Sequence, residues 1–299
     1  MDRETLLQKY PDMAKPMGIP DDRVLEEVAR RDGLDQHFTM IWLEYLTTHH
    51  ARPGLDTRTR LLTLTGQFSV TRSHSHLEDV LRAAFAEGIS ARELLEVVLQ
   101  CAIYAGDTAL APALEIFERL ADEAGALEGL RHDQLPLDGR DSERSLERER
   151  TTWTPEDRND PRLEHFLSRL PWQGISTGLK MKPKHHLDVL EFFDGVDHDH
   201  TLVWARFTYQ GMYSRGLLDE RTRLLCIVAN FIALGKEREM REHMGNALHA
   251  GATPKEIMEL SMLASIYFGM PPRGYALRIL VDLLKQRGRL DELEIAAPL

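Results

Sequence analysis

Leu55-Asp56-Thr57-Arg58-Thr59-Arg60-Leu61-Leu62 recurs 163 positions later as Leu218-Asp219-Glu220-Arg221-Thr222-Arg223-Leu224-Leu225. The same offset carries Gly88 onto Gly251, Glu93 onto Glu256, Glu96 onto Glu259, Tyr104 onto Tyr267 and Gly106 onto Gly269, without a gap. From Leu55 to Phe117, 18 of 63 positions are identical, where unrelated sequences would share about four. With one gap in the preceding loop, Trp42 also meets Trp204. The chain therefore reads as an internal duplication, with a period far too long for a solenoid. Two copies of one unit are expected to pack about a pseudo-twofold axis, as the subunits of a homodimer do.

Working outward from that stretch, the unit reads as helices. Phe38, Ile41, Trp42 and Tyr45 fall at helical spacing and predict a helix from about Leu34 to His50, ended by Pro53-Gly54. Asp56 is a good N-cap for a helix from Thr57 to about Thr71, apolar enough after Arg60 to be central to a core. A polar helix from about Ser73 to Glu87 should stop at Gly88. Ser90 and Glu93 form an S-x-x-E capping box for a helix to about Ala105, and after Gly106 a last helix covers about Ala109 to Ala124. Residues 1 to about 34 read as short helices and loops interrupted by Pro11, Pro16 and Pro20. No stretch alternates with period two for long enough to argue for strands, so the fold class is all-α. The expected domains are 1–125, a first helical unit with an N-terminal extension, and 161–299, a second unit. Residues 126–160 between them, with GRDSERSLERERTTW, read as a charged, solvated linker. At the start of the second unit, Phe166, Leu170, Trp172, Leu187, Leu190 and Phe192 are available for docking.

A net charge of −11 on 299 residues argues against a grip on nucleic acid or anionic membrane. No run approaches the length of a membrane span, and the first residues have no apolar signal-like region. Two cysteines, Cys101 and Cys226, each inside an apolar helical stretch, fit packing roles in a reducing cytoplasm.

The chemistry-bearing stretch is Gly235 to Gly251, GKEREMREHMGNALHAG. Glu239 and His243 are four residues apart, so they leave one face of a helix, with Glu237 close by. A carboxylate beside an imidazole favours its protonated form and fixes its tautomer, which suits a proton donor near neutral pH. The first copy has His74 and His76 at the acidic positions and Val80 where the histidine would be. The economical interpretation is one functional and one degenerate half. The alternative makes His74 and His76, with Tyr104, a second imidazole site. Asp197-His198-Asp199-His200 and His185-His186 look rich in ligands, but no H-E-x-x-H or comparable spacing appears. They read as polar loop surface, and no metal is expected.

The repeat unit resembles the carboxymuconolactone decarboxylase family, the wider group that includes the alkylhydroperoxidase D-like proteins. The first copy carries the resemblance in Arg52-Pro53-Gly54-Leu55-Asp56 and Arg58-Thr59-Arg60. The second carries it in Gly235-Lys236-Glu237-Arg238-Glu239, His243, Gly251, Thr253, Glu256, Ile257 and Tyr267-Phe268-Gly269-Met270-Pro271. It covers about residues 35–125 and 198–290. It implies two tandem helical repeats of the alkylhydroperoxidase D-like type packed as a pseudo-dimer, and a homo-oligomer, most simply a trimer of tandem chains. Hydroperoxidase members use a Cys-x-x-Cys pair with a relay glutamate. Here those cysteine positions are Ser73 and His76, then Lys236 and Glu239, and the glutamate positions are Leu61 and Leu224. Without a resolving thiol there is no disulfide cycle, so a thiol peroxidase is disfavoured. The decarboxylase branch implies a small lactone or carboxylic acid as substrate and no cofactor. On that resemblance His243 donates the proton, Glu239 orients it and Glu237 supports them. Arg273 binds a substrate carboxylate, with Arg221 and Arg223 as alternatives, Tyr267 offers a phenol, and Trp204 and Phe207 form an apolar wall. Competing expectations are a non-catalytic oligomeric or ligand-binding protein, or an isomerase, lactone hydrolase or dehydratase using the same pair.

Overall fold

A computed structural model describes residues 3–9, 21–132, 145–183 and 185–293 of the chain. Pro11, Pro16, Pro20 and residues 133–144 of the expected linker lie outside the described residues. The fold is all-α, with no strand among the described residues. A short helix, Arg3–Lys9, precedes α1 (Asp21–Asp32), α2 (Gln36–His50), α3 (Thr57–Thr71), α4 (His74–Ala86), α5 (Ala91–Ala105) and α6 (Asp107–Glu123). Then come α7 (Trp172–Met181), α8 (His186–Val196) and α9 (His198–Ala205), followed by α10 (Glu220–Leu234), α11 (Glu237–His249), α12 (Pro254–Phe268) and α13 (Met270–Gln286). Helices α3 to α6 and α10 to α13 begin and end 163 positions apart, pair by pair.

The chain divides into two compact units. One joins the residues up to Leu127 to those from Arg221 onward, and the other is Glu128–Glu220. This differs from the sequence-based division at 125 and 161, because the two four-helix sets bury their central helices in one core. In α3 every residue from Leu61 to Val70 is buried, and in α10 every residue from Thr222 to Ile232. Helices buried on all sides have no solvent face to give them amphipathic character. Their hydroxyls bond back along the helix: Thr65 Oγ1 donates to Leu61 O at 2.8 Å, and Ser69 Oγ to Thr65 O at 2.7 Å. Gln67 Nε2 donates to Ala229 O at 3.1 Å across the seam. Gly66 permits this approach, since a Cβ there would lie 2.5 Å from Asn230 Oδ1. Arg223, 2% exposed, donates to Glu96 at 2.6 Å and to Gln100 at 3.1 Å.

The ends of the helices follow the chemistry legible in the sequence. Asp56 accepts from Thr59 N at 2.8 Å, and Ser90–Glu93 and Thr253–Glu256 close reciprocal capping boxes. Arg58 of α3 reaches Glu93, and Arg221 of α10 reaches Glu256, so each box is also tied to the buried central helix of its set. Gly106 and Gly269 join consecutive helices at φ 73° and 85°, where a side chain would strain the backbone.

In the unit Glu128–Glu220, the expected solvated linker is partly a folded core. Trp153 is 4% exposed and donates to Ser176 Oγ at 3.0 Å. Ser176 donates in turn to Glu149 at 2.6 Å, and Lys180 pairs with the same carboxylate. Phe166, Leu170, Leu187 and Leu190 are buried there as expected, whereas Phe192 is 66% exposed. His186, expected on a polar loop, is wholly buried, edge-on to Tyr209 at 4.5 Å. It occupies the space that Gly178 leaves, where a Cβ would come within 2.1 Å of the ring. His185 stays exposed, Asp197 caps α9, and His198 pairs with Asp194 at 2.6 Å.

Candidate active site

Two imidazole centres lie in the unit that contains both helix sets. The first is on α11. Glu237 and Glu239 occupy its first turn, where the helix dipole favours carboxylates. Glu237 is exposed and Glu239 half-buried. His243 follows one turn later, 7% exposed, stacked on Phe231 of α10 at 5.1 Å between ring centroids and 23° between planes. Tyr104 of α5 meets Phe231 edge-on at 4.9 Å.

The second centre is a cavity of about 290 Å³ lined by residues of α1, α2, α3, α4 and α12 and by Ser73, just before α4. Ser73, His76 and Asp79 line it together with Phe68 and Tyr267. The His76 ring is 5.2 Å from Phe68 and 5.7 Å from Tyr267. Phe68 and Tyr267 meet edge-on at 5.0 Å, the arrangement Phe231 makes with Tyr104 at the other centre. The Tyr267 hydroxyl lies 2.9 Å from His50 Nε2. Burial and the Asp79 charge push the Tyr267 phenol up, so it keeps its proton. Burial, then the charges of Arg60 and His49, push His50 down to about 3. Arg60 is fixed by the carbonyls of His50, Arg52 and Leu55. His50 is therefore a neutral partner for the tyrosine at physiological pH.

The tyrosines are exchanged relative to the sequence expectation. Tyr267, assigned to the His243 site, stands beside His76, and Tyr104, assigned to the His74–His76 site, stands on the ring that carries His243. Each centre thus draws one aromatic from the other helix set. His74 is exposed. Trp204 and Phe207, expected as a wall for the His243 site, belong to the unit Glu128–Glu220, where Trp204 packs on Phe193 at 5.0 Å and Tyr209 at 5.6 Å. Arg273 is half-buried in the first turn of α13 and donates to Met270 Sδ at 3.3 Å. Arg221 and Arg223, the alternative carboxylate anchors, are instead held by Glu256 and Glu96.

Sequence reasoning missed His50, Asp79, Phe68 and Arg31 as cavity residues. Phe68 carried a usable signal: it coincides with Phe231 under the 163-residue offset, so the two rings occupy equivalent places. Among the described residues no three His, Cys, Asp or Glu side chains converge as metal ligands. Cys101 and Cys226 are buried, and burial pushes the Cys101 thiol up to about 12, away from nucleophilic use. No helix among the described residues is long and apolar enough to cross a membrane.

Residues 199–282 match the carboxymuconolactone decarboxylase family, a segment that includes Glu237, Glu239, His243, Tyr267 and Arg273. The chain is also similar to the 4-carboxymuconolactone decarboxylase of Acinetobacter baylyi, 29% identical over 121 residues that span 40% of this chain and 90% of that one.

Proposed function

We propose that this chain is a carboxymuconolactone decarboxylase-like enzyme, a cofactor-free lyase that acts on a small lactone or carboxylic acid through acid–base chemistry at His243. Decarboxylation breaks the bond from carbon to carboxylate and leaves the electron pair on carbon as a delocalised, enolate-type anion. A proton must then reach a carbon of that anion. His243 supplies it, Glu239 orients the imidazole from one turn earlier, and Glu237 supports the pair from the start of the helix. Tyr104 takes the phenol role that the sequence had given to Tyr267. Arg273 receives the substrate carboxylate.

The observation that carries this reading is the seating of His243 inside the segment matching the family. It is 7% exposed on the face of Phe231, which holds the ring in one plane. A merely solvated Glu–His pair would have no such support. The matching helix bounds support a tandem duplication, with α3–α6 and α10–α13 packed about a pseudo-twofold axis. Assembly as a trimer of tandem chains in the cytoplasm completes the proposal.

The test is carbon dioxide release from 4-carboxymuconolactone and related small acid lactones. His243→Gln is expected to lower kcat by roughly a hundredfold or more, the usual worth of a general acid, with the thermal unfolding midpoint unchanged. Turnover by the variant at the parent rate removes His243 from the reaction. Product without carbon dioxide points to an isomerase, hydrolase or dehydratase using the same pair. Binding without turnover points to a ligand-binding protein.

A further inference from the structure

The cavity beside His76 does not contain His243, and its most strongly charged wall lies outside both segments that resemble the decarboxylase family. That wall is Arg31 with Glu27, on α1 of the N-terminal extension. Arg30 grips Glu27 with two bonds of 2.9 Å each, so the Glu27 charge is already met. The Arg31 guanidinium adds one longer bond to Glu27, 3.3 Å. A guanidinium has five N–H donors, so most of Arg31 remains available to an acceptor. The group lies over the Trp42 ring at 4.0 Å, which fixes its plane, and its side chain is 29% exposed.

The other walls set the shape of what fits. Trp42, Leu46, Phe68, Ile266 and Tyr267 give flat, apolar surface, and Ser73, His76 and Asp79 give hydrogen-bonding groups. A volume of about 290 Å³ is at the small end of ligand pockets, suited to a molecule of few heavy atoms. Among the described lining residues Arg31 is the one arginine or lysine, and the carboxylates of Glu27 and Asp79 line the same cavity, which disfavours a second negative charge on the ligand and selects a single carboxylate over a phosphate or a dicarboxylate. The planar arginine fork meets a carboxylate through two parallel bonds.

We infer that this cavity is a ligand site of its own, separate from His243, that takes a small monocarboxylate with a flat unsaturated or aromatic body. Arg31 holds the carboxylate, and the aromatic walls hold the body. The site needs three stretches of chain: the N-terminal helices, the His76 helix and Tyr267 of α12.

The test is calorimetric titration of the full-length chain with sodium benzoate as probe, set against acetate, which lacks the flat body, and benzamide, which lacks the charge. Benzoate is expected to bind at least tenfold more tightly than either. Arg31→Gln should weaken benzoate at least tenfold and leave benzamide unchanged, which also reports that the cavity is intact, and Arg31→Lys should recover part of the loss. Equal binding of benzoate and benzamide, undiminished benzoate binding by Arg31→Gln, or no benzoate binding would each overturn the assignment.

Discussion

His50 and His186 are buried imidazoles in different units, and each resists protonation. Burial is the leading cause for both, with Arg60 and then His49 adding to it at His50 and Lys182 at His186. In the folded chain both are pushed down to about 3, against an ordinary value of about 6.5. Between those values the unfolded chain binds protons that the folded chain refuses. The stabilisation is therefore complete above about pH 6.5 and is lost as pH falls towards 3, by at most about 1.4 kcal/mol per pH unit for each group. Urea unfolding followed from pH 7.5 to 5 is expected to show this decline, and His186→Phe should flatten it. A slope unchanged by that substitution would mean that His186 titrates normally. Nothing in the pair His185-His186 announced which ring is inside. The deciding feature is Gly178 on the neighbouring helix, which leaves the ring its space. Phe231 under His243 is a similar case: the four-residue spacing to Glu239 was legible, but the supporting ring comes from another helix.

Among the elements, the eight helices of the two sets were the most legible part, because caps and breakers mark their ends. Asp56, Ser90 and Thr253 act as N-caps through the bonds their side-chain types predict, and Gly106 and Gly269 stop helices at positive φ. The seam between α5 and α10 was not legible. Arg223 stood in the sequence as an alternative carboxylate anchor or a structural helix-start arginine, and nothing there named its partner: it is 2% exposed and pairs with Glu96, which is wholly buried. Removing one member of such a pair strands a charge without water. Arg223→Met is expected to cost about 3–5 kcal/mol in urea unfolding, and Glu96→Leu added to it should recover most of that loss. A single substitution costing under about 1 kcal/mol would place the pair with ordinary surface bridges.

At the scale of the whole molecule, the all-α class was legible in the sequence, and the sharing of one core by α3 and α10 was not. The sequence reading divided the chain into two units packed about a pseudo-twofold axis, with a solvated linker between them. In the structure α3 and α10 share one core, and Trp153, Glu149 and Ser176 of the intervening stretch make a core of their own. The reason is physical: helices as fully buried as α3 and α10 have no stable solvent-facing form, so each set covers the other. The same packing exchanges Tyr104 and Tyr267 between centres, which linear order could not reveal. The proposed reaction takes place at one of these centres, His243. Turnover of 4-carboxymuconolactone in deuterium oxide, with products read by mass, tests that chemistry most directly. The prediction is one carbon dioxide lost and one deuterium gained at a carbon of the delocalised anion, at a rate that collapses in His243→Gln. Equal rates and equal labelling in the parent chain and the variant would contradict it.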